Sequence, residues 1–90
     1  MRYKEKLSTK FIKQYKKLKK HNPKQAETVR ILIKDTLEHP TTGLGRPERL
    51  KHMGGKGYSR EIDKKNRLVY RIISSDEVRF ESCDGHYNDH

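Results

Sequence analysis

The chain has 90 residues, of which 30% are hydrophobic and 38% charged, with one cysteine and a formal net charge of +10. That length suits one domain over residues 1–90 with a small core, burying about 60 to 65% of its unfolded surface, and one cysteine excludes an internal disulfide or a cysteine-based zinc framework. No apolar stretch approaches the roughly 20 residues that span a bilayer, and no signal-type apolar segment follows the basic N-terminus, so a soluble cytoplasmic protein is expected.

"MRYKEKL" alternates weakly and suits a short strand, with Ser8 or Thr9 placed to cap a helix. In "KFIKQYKKLKK", Phe11, Ile12, Tyr15 and Leu18 recur at helical spacing, and lysines fill the other positions, Lys13, Lys16, Lys17 and Lys20 among them. "HNPKQ" ends that helix and starts another: Asn22 can cap it, Pro23 fits its first position, and Gln25 lies where a capping box would place it. The second helix runs to about Glu38, burying Ala26, Val29, Ile33 and Leu37 with Leu32 alongside.

After "HPTTGLGRP" the period changes to two. "ERLKH", "GYSREID", "RLVYRII" and "VRFESCD" read as four strands separated by "MGGKG", "DKKN" and "SSDE", each a credible tight turn. A strand, two helices and four hairpin-connected strands predict an α+β domain ordered βααββββ, a two-helix hairpin packed on one face of a small antiparallel sheet. The sheet's other face is then open, and alternation puts Arg67, Val69 and Arg71 there if Leu68, Tyr70 and Ile72 face the helices.

Charge is concentrated at one end. Residues 1–24 hold ten Lys/Arg against one Glu, a net +9, whereas the rest of the chain sums to +1. Such a field favours a polyanion, with RNA or DNA the usual one. An acidic protein would answer it too, and a solvated lysine face is the plainer alternative.

The segment "IKDTLEHPTTGLGRPERLKHMGGKGYSREIDKKNRLVYRI", followed by "SCDGHY", resembles the YoeB/Txe branch of the RelE-like bacterial toxins. The family pattern has a long helix ending in a proline, then G-x-G-[KR]-P-E-x-L-K, S-R-x-I, H-R-L-[VI]-Y and a terminal H-Y. The resemblance implies a small mRNA endonuclease that acts in the ribosomal A site and is silenced by a cognate antitoxin, of the YefM/Phd-like kind with an acidic C-terminal segment. It also implies operator DNA contact only through the antitoxin complex, and self-association as a dimer, common in this branch.

Carried over by position, the family's glutamate falls on Glu48 and its lysine on Lys51, with His52 following. The arginine of H-R-L-[VI]-Y falls on Arg67, and the terminal pair on His86 and Tyr87. The chain departs from the pattern at Asn66, where a histidine is usual, at Glu61, where a second arginine is common, and in the "NDH" that follows Tyr87.

The chemistry needs these types together. RNA cleavage through the 2′-hydroxyl requires a base for its proton, an acid for the departing 5′-oxygen, and cations to hold the charged phosphorane. Glu48 is assigned as base, its carboxyl having a reference pKa of about 4.3, and His86 as acid, with an imidazole near 6.5. Arg67 forks onto phosphate oxygens and Lys51 adds a point charge. Tyr87 stacks on a base or bonds to the scissile phosphate. Arg60 and His52 are supporting RNA contacts, as are Lys13, Lys16, Lys17 and Lys20 on the helix.

Each residue has a plainer alternative: Glu48 as a strand-edge carboxylate paired with a lysine, Lys51 and Arg60 as surface charges, and His86 and Tyr87 as a frayed tail. Cys83 reads as a small buried residue, not a nucleophile. "HYNDH" lacks the H-x-x-x-H spacing of a helical metal site, so neither metal nor cofactor is expected. Two other functions stand beside the endonuclease: a non-catalytic RNA- or ribosome-binding module, and a co-repressor subunit acting with its antitoxin.

Overall fold

The computed structural model of the chain describes residues 2–51 and 53–84. The order is β1 (Lys4–Leu7), α1 (Thr9–His21), α2 (Pro23–Glu38), β2 (Glu48–Leu50), β3 (Gly57–Glu61), β4 (Arg67–Ser74) and β5 (Glu77–Ser82). This is the α+β arrangement expected, with both helices on one face of a five-stranded sheet ordered β1-β5-β4-β3-β2. Strands β2 to β5 run antiparallel to their neighbours, whereas β1 joins β5 in parallel, so the sheet is mixed. Among the described residues no helix is long and apolar enough to cross a membrane.

Local chemistry sets the helix ends. Ser8 caps α1, its Oγ accepting the Phe11 N–H at 3.0 Å and donating to the Glu81 carbonyl at 2.9 Å, so one hydroxyl both starts the helix and ties it to β5. Lys19, Lys20 and His21 lie in the last turn, where cations suit the helix dipole. Asn22 serves both helices: its N–H donates to the Leu18 carbonyl at 2.7 Å, and its Oδ1 accepts the Gln25 N–H at 3.2 Å ahead of Pro23 at the first position of α2. The expected capping box is only half formed in these contacts, because the Gln25 side chain donates to Asp63 in the β3–β4 turn.

The core gathers Phe11, Val29, Leu32 and Leu37 from the helices against Leu68, Tyr70, Val78 and Phe80 from the sheet. Each such side chain, once buried, contributes about 1.5 to 3 kcal/mol of hydrophobic stabilisation. Phe80 links the ring contacts of helix and sheet, with Phe11 at 6.1 Å and Tyr70 at 5.8 Å between centroids. Ile12 departs from expectation: at 38% exposed it lies at the edge of the apolar stripe that Phe11, Tyr15 and Leu18 define.

Arg60 is a correction. The residue expected to support RNA binding is wholly buried, on the helix side of β3. Its Nη1 donates to Asp35 Oδ2 at 2.6 Å and to the Leu44 carbonyl at 3.0 Å, its Nη2 to the carbonyls of His39 and Thr42, and its Nε to the Tyr70 hydroxyl at 3.2 Å. Those five acceptors match the five N–H donors of a guanidinium. No donor remains for a phosphate. What Arg60 holds instead is the segment 39–47 that leads into β2, helped by Tyr70, whose hydroxyl donates to the Pro40 carbonyl at 2.6 Å, and by the Glu61 N–H, which donates to the Gly45 carbonyl at 2.7 Å. At Gly43, with φ +106°, any Cβ would collide with the Asp35 carboxylate, so this close approach requires glycine.

Candidate active site

On the face away from the helices, strand register places side chains in rows. Glu48 opposes Ser59, Ser59 opposes Val69 and Val69 opposes Ser82, so one row crosses four strands. A second row runs Leu50, Gly57, Arg71, Arg79 and Lys6. Alternation along β4 keeps Leu68 and Tyr70 in the core and turns Arg67, Val69 and Arg71 to the open face, as their spacing predicts.

Arg67 and Glu48 meet at the rim of this face. Arg67 Nη2 is 3.4 Å from Glu48 Oε2, and Arg67 Nε donates to Ser59 Oγ at 2.8 Å. Ser59 is buried beneath them, which fixes one edge of the guanidinium; the Glu48 side chain is 67% exposed and the Arg67 side chain 24%. A carboxylate, which only accepts, thus sits beside a planar group that only donates. Chemically the pair offers a proton acceptor and an anion-holding fork within one contact distance. The segment that Arg60 anchors delivers Glu48 to this position directly after Pro47.

Glu61, one of the departures from the family pattern, is the register partner of Arg67. Lys51 follows β2 in an exposed turn. His52, His86 and Tyr87 lie outside the described residues. Lys13, Lys16, Lys17 and Lys20 are all exposed on α1. The helical period directs them away from Phe11, Tyr15 and Leu18, and therefore away from the sheet. They share neither face nor neighbours with Glu48 and Arg67.

A cleft of about 530 Å³ adjoins the first row at Val69 and is lined also by Lys10, Met53, Arg71, Arg79 and Glu81. Sequence spacing turns Arg71 to this face without giving it a role, and it leaves Arg79 and Lys10 unassigned. The signal for Arg79 is nonetheless present, since Val78 and Phe80 alternate with it in "VRFES". Cys83 is buried, and burial pushes its thiol up to about 12, so at neutral pH it stays protonated and poorly nucleophilic.

The family described as YoeB-like toxin of bacterial type II toxin-antitoxin system matches residues 7–87. Toxin YoeB of Escherichia coli (strain K12) is 43% identical over 56 residues, 62% of this chain and 66% of that protein, so the alignment spans just under two thirds of that relative. Toxin YoeB of Synechocystis sp. is 36% identical over 67 residues, 74% of this chain and 77% of that protein. Among solved structures, the YoeB/ParE toxin from Agrobacterium tumefaciens superposes with a TM-score of 0.86 at 28% identity, covering 93% of this chain and 99% of the other. The YoeB dimer from Staphylococcus aureus gives 0.85 at 28% identity, covering 97% and 100%, and the YoeB-YefM complex from the same organism gives 0.82 at 30% identity with the same coverage.

Proposed function

The chain belongs to the YoeB-like toxin family of bacterial type II toxin–antitoxin systems, and on that premise we propose that it is a ribosome-dependent mRNA endonuclease which cuts translated messages at the A site and so arrests translation. The observation that carries this reading is the contact of Glu48 with Arg67 at 3.4 Å on the open face, beside a cleft rich in cations.

In this mechanism Glu48 takes the proton of a 2′-hydroxyl, and the resulting oxygen attacks the adjacent phosphorus. The P–O5′ bond breaks and His86 gives its proton to the departing 5′-oxygen. The products are a 2′,3′-cyclic phosphate and a 5′-hydroxyl. Arg67 holds two phosphate oxygens while negative charge accumulates on them, Lys51 adds a second cation, and Tyr87 stacks on a base or bonds to the phosphate. Ser59, by fixing Arg67 through Nε, orients that fork. Message and ribosome are held by different surfaces: the message on the open sheet face, ribosomal RNA on the outward lysines of α1. DNA lacks the nucleophile and is not cut.

The partner in the resting cell is an antitoxin whose acidic C-terminal segment competes for the same cations; YoeB from Staphylococcus aureus has been solved in complex with YefM and as a dimer. For this chain both assemblies are part of the proposal, as are operator contact through the antitoxin and action in the cytoplasm. Translation assays with Glu48→Gln, Arg67→Ala and His86→Ala test the assignment. Glu48→Gln and His86→Ala should each lower cleavage by about 10²- to 10⁴-fold while ribosome association persists. Full arrest by Glu48→Gln would remove the general base from the account, and binding without cleavage by the unaltered protein would make it a ribosome-binding module.

A further inference from the structure

Arg71 and Arg79 oppose each other across β4 and β5 on the open face, and the mechanism above uses neither. Like charges in direct register repel. A single carboxylate, Glu81, stands 3.8 Å from Arg71 Nε and 3.4 Å from Arg79 Nε, offsetting that repulsion and spacing the two guanidiniums. The trio retains a net positive charge, to which Lys10 adds at the wall of the same cleft. The two arginine side chains are 46% and 50% exposed, within reach of an incoming chain. Met53, together with Val69 of the Glu48 row, supplies apolar surface beside them.

We propose that this cleft is a second phosphate subsite for single-stranded RNA, in which Arg71 and Arg79 hold the backbone at phosphates beyond the one that is cut. The proposal rests on the endonuclease reading and deepens it. Arg71 lies four residues along β4 from Arg67, about 13 Å at the strand rise of roughly 3.3 Å per residue. One phosphate therefore cannot satisfy both, and a strand laid along β4 brings different phosphates to each. Guanidinium groups suit this work because their donors fork onto phosphate oxygens. The apolar lining suits the faces of unstacked bases, and continuity with Glu48 favours RNA over an acidic peptide as occupant.

The test uses the full chain carrying Glu48→Gln, so that bound RNA is not consumed, and a short single-stranded RNA followed by fluorescence anisotropy over a range of salt. Adding Arg71→Gln and Arg79→Gln should lower the slope of log affinity against log salt by about 1.4, or about 0.7 for each phosphate that is no longer neutralised. Arg71→Lys with Arg79→Lys should keep most of the slope, since lysine retains the charge. On ribosomes, with Glu48 intact, the glutamine pair should raise KM for the message and leave kcat nearly unchanged. An unchanged slope with the glutamine pair, each variant melting at the temperature of its parent, overturns the proposal. So does an unchanged slope accompanied by weaker binding of an acidic antitoxin peptide, which assigns the cleft to that partner. Undiminished cleavage by Glu48→Gln alone would instead strike the general-base role of Glu48, and absence of cleavage by the unaltered protein would strike the endonuclease reading, both results separable from the slope.

Discussion

Removing the buried Arg60 guanidinium leaves the Asp35 carboxylate and four other acceptors, most of them partly buried, without the donors it supplies. Arg60→Ala should therefore destabilise the fold by about 3 kcal/mol or more, read as a lower denaturant midpoint. Arg60→Lys should recover only part, because an ammonium brings three donors in place of five. Asp35 adds a pH dependence. Burial raises its carboxyl, but the Leu44 N–H and Arg60 outweigh that and hold it below the ordinary carboxylate value. Its contribution is complete above the unfolded pKa of about 3.9 and is lost as pH falls through the lower folded value. Asp35→Asn should lower stability at neutral pH and flatten the acid limb of a urea-midpoint profile; an unchanged acid limb would contradict the pairing. The burial of Arg60 is legible in "YSREI", where Tyr58, Arg60 and Ile62 share one phase and two of the three are apolar. The period counts faces without regard to charge. For a lone arginine in an apolar phase, position is a better guide than side-chain chemistry.

At the scale of elements, the joints matter more than the middles. Ser8 starts α1 and bonds to β5 with one hydroxyl, so Ser8→Ala should cost about 1 kcal/mol for the cap, with the Glu81 bond adding to it, measured by thermal or chemical unfolding. Both helices and strands β3 to β5 were legible to within two residues at their ends, because capping residues and changes of period coincide there. The partner of β1 was not. Its four residues are all exposed, and the turn signals that join β2 to β5 in a meander have no counterpart linking Leu7 to any strand. Parallel pairing with β5 depends on the helical hairpin returning the chain to the far edge, an outcome of three-dimensional closure that no local pattern encodes. Glu48 and Arg67, separated by 18 intervening residues, meet because β2 and β4 both pair with β3, a pairing order that the family resemblance implies and with which the tight turns agree.

Over the whole molecule the basic charge divides between two sides. Lys13, Lys16, Lys17 and Lys20 project from α1 away from the sheet, while Arg67, Arg71 and Arg79 occupy its open face. A single RNA strand in the cleft does not also lie on α1, which is why the function proposed for this chain uses the ribosome as a second nucleic-acid partner. Replacing the four lysines by glutamine should weaken ribosome association steeply with salt while leaving the chemistry at a bound A-site codon intact. The opposite pattern, chemistry lost and association kept, should follow Glu48→Gln. The sequence shows that the positive charge is concentrated, and only the fold divides it between surfaces.

The most direct measurement is cleavage mapping of one defined message, naked and on programmed ribosomes, with the unaltered protein and a Glu48→Gln, His86→Ala double variant, reading the chemistry of each new 3′ end. Cuts are expected at the A-site codon on ribosomes alone, ending in cyclic phosphate and absent with the variant. Ribosome binding without any cut, or cuts that persist in the variant, would contradict that expectation.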